Sequence, residues 1–391
     1  MKINQFAVAA LAVACSTSAL ADARGVAMGG TGVATSNYLA APFYNPALLA
    51  HYDQDRDNVG LLLPSLSVSV HDGDELYDKV DDFAMLTDEL NMDPTNAALQ
   101  DEWKAGLKAL DDGRGVVEGQ LGLVIAVPNQ YASVSFFTKA EAMMVATAHI
   151  DDADLALDVD ADCSGDIESC IQSTVQGLAG VVGDVGLTLA KEHQLTLAGR
   201  EMRVSAGISP KFQTLAAINY ETGASGFDEN EFEFGDEYVE TSGFNLDLGV
   251  ALQPTDNLTI GLSAMNLMSQ ELDTNVQLGK RATFLVEPQY KLGVGYRLGL
   301  MTAAFDVDLT ERSYFKGMDY STQFARVGVE FDAWRWAQLR VGYQHSMTDH
   351  SEDVLSAGLG LTPFGRFGLD LSAQYGDDSR LGAAAQLIFT F

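Results

Sequence analysis

From residue 57 to the end of the chain, apolar and polar side chains alternate with period two. In "RLGAAAQLIFTF" (380–391), Leu381, Ala383, Ala385, Leu387, Phe389 and Phe391 share one face. Gly382, Ala384, Gln386 and Thr390 share the other. "WAQLRVGYQH" alternates Leu339, Val341 and Tyr343 with Gln338, Arg340 and Gln344, and "FARVGVEFD", "AAFDVDL", "FGLDLSAQY" and "MRVSAGISPK" behave in the same way. Successive side chains of a strand point to opposite sides, so each segment reads as a β-strand with one apolar and one polar face. The pattern predicts about fourteen strands of a length that crosses a bilayer when tilted. Their expected bounds are 57–71, 115–127, 130–148, 183–196, 200–220, 238–253, 257–269, 283–297, 300–311, 320–332, 335–347, 353–362, 366–376 and 380–391.

Periodicity alone does not say which face points outward. A soluble sandwich buries its apolar face, whereas a membrane barrel turns that face to lipid and keeps polar side chains inside. The connections decide between them. Stretches 72–114, 149–182, 221–237 and 270–282 are long. Those at 128–130, 197–199, 254–256, 298–299 and 363–365 are tight. Outer-membrane barrels alternate long extracellular loops with short periplasmic turns. A final amphipathic strand ending in Phe389 and Phe391 resembles the assembly signal of bacterial outer-membrane barrels. The expected fold is all-β, a transmembrane antiparallel β-barrel spanning 57–391. Outer-membrane lipid and the barrel-assembly machinery are its expected partners.

The N-terminus supports export. In "MKINQFAVAALAVACSTSALA" (1–21), Lys2 precedes a short apolar run, and Ala19-Leu20-Ala21 forms a small-x-small cleavage site. The run is too short for a helical span of about 20 residues. Lipoprotein processing at Cys15 is the weaker rival, because Ala12 stands where Leu is usual. With a leader removed after Ala21, Cys163 and Cys170 remain, seven residues apart in "DADCSGDIESC". In an oxidising compartment the pair is expected to be a disulfide within the loop 149–182.

The chain carries 55 acidic against 23 basic residues, a net charge of -32. This excess excludes nucleic acid as a partner, since phosphate binding needs clustered Lys and Arg. Much of the acid lies in the insert 72–114. There "DPTNAALQDEWKAGLKAL" (93–110) predicts one amphipathic helix started by Asp93 and Pro94, with Leu99, Trp103, Leu107 and Leu110 on one face. In 151–168, Asp158, Asp160 and Asp162 alternate as in a calcium loop, but Cys163 holds the position where that loop needs Gly. It reads as a solvated acidic loop. His51, His71, His149, His193, His345 and His350 show no metal-ligand spacing. No nucleophile elbow or phosphate-binding loop is present. "GVAMGGTG" (25–32) is Gly-rich but follows no strand. The reading is a non-enzymatic protein without a cofactor or a metal site.

One stretch fits none of these elements. "AAPFYNPALLA" (40–50) is too aromatic for a linker and too short for a core helix. With its upstream glycines, "ARGVAMGGTGVATSNYLAAPFYNPALLA" (23–50) resembles the N-terminal segment of the long-chain fatty-acid transporter (FadL) superfamily. With "VGLLLPSLSVSVHDGDEL" after it, the match is closer to the branch named conjugal transfer protein TraF. The resemblance implies that 22–56 forms a plug, or hatch, inside the barrel. Gly25, Gly29, Gly30, Gly32, Phe43, Tyr44, Asn45, Pro46 and Ala47 would then form the gate.

The physical logic agrees. A barrel of about fourteen strands is too wide for its own side chains to fill. Asn45 suits an N-cap and Pro46 the first turn of a short helix. The inward charges Arg203, Lys211, Asp247, Asp306, Arg326, Glu330, Arg340 and Asp370 can hydrogen-bond the plug backbone; a structural salt-bridge lattice is favoured over a transport path. Three functions compete: passage of hydrophobic small molecules, assembly with conjugation or secretion proteins, and a soluble periplasmic β role. One conjugation protein of the TraF name resembles thioredoxins, yet this chain has no thioredoxin motif.

Overall fold

The computed structural model describes residues 22–391, apart from 56, 74, 112, 164–165, 198, 226–237, 319, 334–335 and 377–378. The expected leader, 1–21, lies outside the described residues.

The barrel strands begin with β1 (Gly60–His71), β2 (Arg114–Val127), β3 (Ser133–His149), β4 (Thr174–Leu197), β5 (Arg200–Gly223), β6 (Val239–Thr255) and β7 (Leu258–Met265). A short ribbon, β8 (Gln270–Asp273) with β9 (Thr283–Val286), stands apart. The wall resumes with β10 (Gln289–Leu298) and β11 (Met301–Asp308). A second ribbon pairs β12 (Arg312–Ser313) with β13 (Ser321–Thr322). The wall then ends with β14 (Phe324–Ala333), β15 (Ala337–Ser346), β16 (Val354–Leu361), β17 (Phe367–Gly376) and β18 (Leu381–Thr390). Each barrel strand pairs antiparallel with its neighbour, and β1 closes on β18 from Gly60 opposite Thr390 to Val70 opposite Leu381. The closed barrel has fourteen strands. Closure removes sheet edges, as a strand assembly in lipid requires.

The faces sort as a membrane barrel demands. Leu187, Ile208, Leu262, Phe305, Val341, Leu355 and Leu371 are exposed, whereas Thr188, Ser209, Ser263, Asp306, Arg340, Ser356 and Asp370 are buried. The apolar side chains form the outer surface and the polar ones point to the lumen, the inverse of a soluble core. On β18, Leu381 is exposed while Gln386 is buried, and Phe389 packs on Phe367 with ring centroids 5.2 Å apart. Pro64 interrupts β1: lacking an N–H, it cannot extend the ladder, and the register shifts around it on both sides.

Several boundaries differ from expectation. The segment 283–297 is not one strand. It breaks at Glu287 and Pro288, and its first part leaves the wall to pair with β8. The segment 257–269 stops at Met265, because Asn266 adopts a left-handed φ of 55° that no strand continues through. The wall strand expected over 320–332 starts at Phe324. β4 begins at Thr174, nine residues before 183, so the loop before it is shorter. Its many small residues (Gly177, Ala179, Gly180 and Gly183) hid the alternation.

The insert 72–114 holds two helices rather than one, Leu76–Met92 and Ala97–Ala109. Asp93 and Pro94 lie in the turn between them, and Asn96 caps the second helix by accepting from the Leu99 N–H at 3.3 Å. Phe83 and Trp103 pack across the hairpin at 5.4 Å, and the Trp103 indole donates to Thr87 Oγ1 at 2.9 Å. Leu107 and Leu110 are fully buried, and Leu99 packs at the margin. This hairpin shares a hydrophobic cluster with Val159, Ile167 and the disulfide Cys163–Cys170, whose Cα atoms are 5.3 Å apart. Asp158, Asp160 and Asp162 do not converge: Asp162 turns back to accept the Asp158 N–H at 2.9 Å.

Candidate functional site

The N-terminal segment lies within the barrel, against inward faces of strands from around its circumference. Its first helix, Ala23–Ala27, is capped by Asp22, whose Oδ2 accepts the Gly25 N–H at 2.9 Å. The chain then turns through Gly29 and Gly30, at φ 68° and 77°. A side chain at Gly29 would meet the backbone of Tyr343 and Val327. A second helix, Ala41–Tyr44, leads to a 3-10 turn, Pro46–Ala50.

Asn45 joins these parts. Its Oδ1 accepts the Ala47 N–H at 3.1 Å, capping the turn. Its Nδ2 donates to the Val33 carbonyl at 2.8 Å and to the Val250 carbonyl of the wall at 3.2 Å. One buried amide thus holds two stretches of the segment together and fixes both to β6. Pro46 stands at the first position of the turn, where its missing N–H leaves nothing unpaired. Tyr44 stacks over Gly32 and reaches Gly25, so neither glycine has room for a side chain. Phe43, Tyr44, Leu48 and Leu49 share a cluster with Leu62, Val124, Phe137 and Ala251 of the wall.

The wall is shaped to match. At Gly207 a Cβ would collide with Pro46 and Ala47, at Gly261 with Val33, and at Gly342 with Gly29. These are inward positions on three strands, and their bare backbone admits the segment's own backbone. The sequence reading did not single them out. Their period-two spacing beside polar inward residues was the available signal.

The eight inward charges divide by role. Asp306 meets the segment's backbone, accepting from the Gly32 N–H at 2.7 Å and the Val33 N–H at 2.9 Å. Glu330 takes the Arg24 side chain in two hydrogen bonds of 2.8 and 2.9 Å and also accepts from Arg340 Nε at 2.7 Å. Arg340 pairs with Asp370, which accepts from Gln386 Nε2 at 2.9 Å, and Gln386 Oε1 accepts the Ala23 N–H at 2.8 Å. A connected network therefore runs from the segment to β14, β15, β17 and β18. Lys211 pairs with Asp184 and Asp247 at 2.9 and 3.1 Å, and Arg326 with Asp308 at 2.7 Å. These ion pairs join wall residues to one another. Arg203 sits at the rim, paired with Asp256 at 3.2 Å.

Arg24 had not been foreseen. It is the hub on the segment's side, since Nη1 also donates to the Thr35 carbonyl at 2.7 Å. Burial disfavours its charge, but the adjacent Glu330 outweighs this and raises its pKa. His51 Nε2 lies 2.7 Å from Ser205 Oγ. Burial, with Arg203 and Arg297 nearby, lowers the His51 pKa to about 4.

Beyond the segment lies a cavity of about 170 Å³. Val26, Phe43 and Tyr44 floor it, and Phe284, Tyr314 and Thr322, from the two ribbons, roof it. Between them lie charges: Glu141 of the wall binds Lys139 at 2.7 Å and Arg312 of the β12 ribbon at 3.0 Å, and Glu118 binds Arg380 at 2.9 Å. Burial pushes the Tyr44 hydroxyl well above its ordinary pKa, so it stays protonated.

Residues 42–308 match the family described as "F plasmid transfer operon, TraF, protein". No curated protein matches the sequence. Among solved structures, the Ralstonia pickettii toluene transporter TbuX superposes with a TM-score of 0.52 at 14% identity, covering 94% of this chain and 97% of that one. The P. putida toluene transporter TodX gives 0.51 at 12% identity, over 95% and 99%. A Pseudomonas aeruginosa FadL homologue gives 0.52 at 10% identity, over 96% and 99%. At these identities the likeness establishes the fold, that of FadL-like outer-membrane barrels.

Proposed function

The chain belongs to the TraF protein family of the F plasmid transfer operon description, and from that premise and its barrel we propose that it is a plugged outer-membrane channel for small hydrophobic molecules. Residues 22–56 are the plug, and the long loops face the cell exterior. The observation that carries this reading is the seating of the plug. The lumen is occupied by a separate segment, held to the wall by hydrogen bonds, an ion pair and a shared apolar cluster. Such contacts can be exchanged without unfolding the barrel. Two solved barrels of the same fold are named as toluene transporters, which supports an apolar cargo. The network Arg24–Glu330–Arg340–Asp370 is the plug's anchor, a structural lattice rather than a conduction path. Toluene entry into liposomes carrying the purified protein should exceed that into protein-free liposomes; equal entry would end the reading.

The family description favours a second reading, a non-enzymatic component of a conjugal transfer or secretion apparatus. Its docking surface would be the acidic helical hairpin 76–109. Deleting 72–114 should then abolish capture of the partner machinery while the barrel keeps its heat-modifiable gel shift.

A further inference from the structure

We infer that the working chain begins at Asp22 and that its free α-ammonium is the cation missing from the plug's anchor. The inference rests on the leader reading of residues 1–21 and is independent of what the channel passes. A cut after Ala21 would expose Asp22 as the first residue. That same residue caps the first plug helix, and it is only 1% exposed.

Charge around Asp22 does not balance. Arg24 and Asp370 both act on its carboxylate. Gln386 ties this place together, accepting the Ala23 N–H at 2.8 Å and donating to Asp370 at 2.9 Å. Glu330 binds Arg24 and Arg340, and Arg340 also binds Asp370. Three carboxylates (Asp22, Glu330 and Asp370) thus share two guanidinium groups and are one cation short. The next groups outward do not make up the difference. Asp306 and Asp308 are matched in number by Arg326 and Lys291, and Tyr44, beside them, is neutral. Asp22 is also short of a donor. Its Oδ2 takes the Gly25 N–H, while Oδ1 is buried without a hydrogen-bond partner among the described residues. A buried carboxylate lacking counter-charge and donor is costly.

Export supplies what is missing. A leader peptidase hydrolyses the Ala21–Asp22 peptide bond. The hydroxyl of water goes to the Ala21 carbonyl carbon, and the Asp22 nitrogen leaves as an amine and takes a proton. An α-amine ordinarily titrates at about pH 8, so it is charged at neutral pH, and neighbouring carboxylates favour that form. It brings one positive charge and its N–H donors to the place that lacks both. Once the plug is seated, Asp22 is out of a peptidase's reach, so cleavage comes first and seating follows. An uncut chain carries a neutral amide at this point, and its anchor stays one cation short.

The test starts from the barrel extracted from outer membranes. Intact mass and N-terminal sequencing should place Asp22 first; any other first residue overturns the inference, and Met1 overturns the leader reading with it. An acylating reagent at neutral pH should spare the α-amine of the folded barrel and label it after unfolding; equal labelling of both states counts against a buried ammonium. The charge itself is tested by two blocks placed on the α-amine of the unfolded chain near pH 7, where lysines are protonated. Dimethylation keeps the charge and carbamylation removes it. In the refolded, heat-modifiable barrel, hydrogen exchange over 23–36 should stay near the unmodified rate with the first and rise at least about tenfold with the second. Equal exchange in the two forms overturns the charge role and leaves the leader reading standing. If the carbamylated chain does not refold, Asp22→Asn should rescue it, because Asn keeps the cap and removes the surplus carboxylate; no rescue overturns the inference. None of these readouts uses toluene entry, so their failure leaves the channel reading intact.

Discussion

Asn45 shows how much one side chain contributes to seating the plug. Its amide caps the Pro46–Ala50 turn and donates to Val33 and Val250. Asn45→Ala removes the cap and strands the buried Val33 carbonyl, at a cost of about 2–4 kcal/mol to plug docking. Hydrogen exchange over 22–50 should rise sharply, with the wall strands unchanged; unaltered exchange would deny Asn45 this role. His51 adds a pH dependence. Its folded pKa of about 4 lies below the ordinary value of 6.5. Both states are neutral above pH 6.5, so no penalty applies there. Between pH 6.5 and about 4 the undocked plug takes up the proton more readily, and docking weakens as pH falls. Exchange near residues 46–52 should increase over that window, and His51→Gln should flatten the increase. The Asn-Pro-Ala string and the aromatics before it stood out because they fitted no strand, and it was the resemblance to the FadL superfamily that implied a place inside the barrel. Arg24 was not legible. A lone Arg in a glycine-rich stretch gains its meaning only from Glu330, 306 positions away in sequence.

At the scale of elements, the helical hairpin and the disulfide loop form a cap whose core rests on Val175 of β4 and on Ala146 and Ala148 of β3. Trp103 is fully buried in it and hydrogen-bonded to Thr87. Trp103→Ala should cost the cap about 3–5 kcal/mol, seen as early loss of helical circular dichroism. The barrel's heat-modifiable shift should survive, since the wall's ladders do not depend on the cap; simultaneous loss of both would show one cooperative unit. Alternation revealed the wall strands well wherever polar and apolar residues took turns, as on β15 and β17. It failed at β4, where glycines and alanines blur the two faces. It also ran together Thr283–Val286 and Gln289–Leu298, because the two apolar patterns are nearly in phase across Pro288. The helix Leu76–Met92 was missed among its own acids, Asp78, Asp81, Asp82, Asp88 and Glu89, which occupy its solvent side while Val80, Phe83 and Leu90 are buried.

For the whole molecule, the fold comes from an inversion: apolar residues face out, polar residues face in, and an added segment fills what the polar lining cannot. The wall's glycines are cut to that segment. Gly342→Val would drive a side chain into the Gly29 backbone and should unseat the plug, read as a raised ionic conductance in planar bilayers; unchanged conductance would show that the plug tolerates displacement without opening. The most direct test locks the plug in place. Ala23 and Ala384 pack in one buried cluster, so Ala23→Cys with Ala384→Cys, in a Cys163→Ser/Cys170→Ser background, should crosslink plug to wall on oxidation. Toluene entry into liposomes should stop when the crosslink forms and return when it is reduced. Entry that proceeds equally with the plug locked and free would contradict the account.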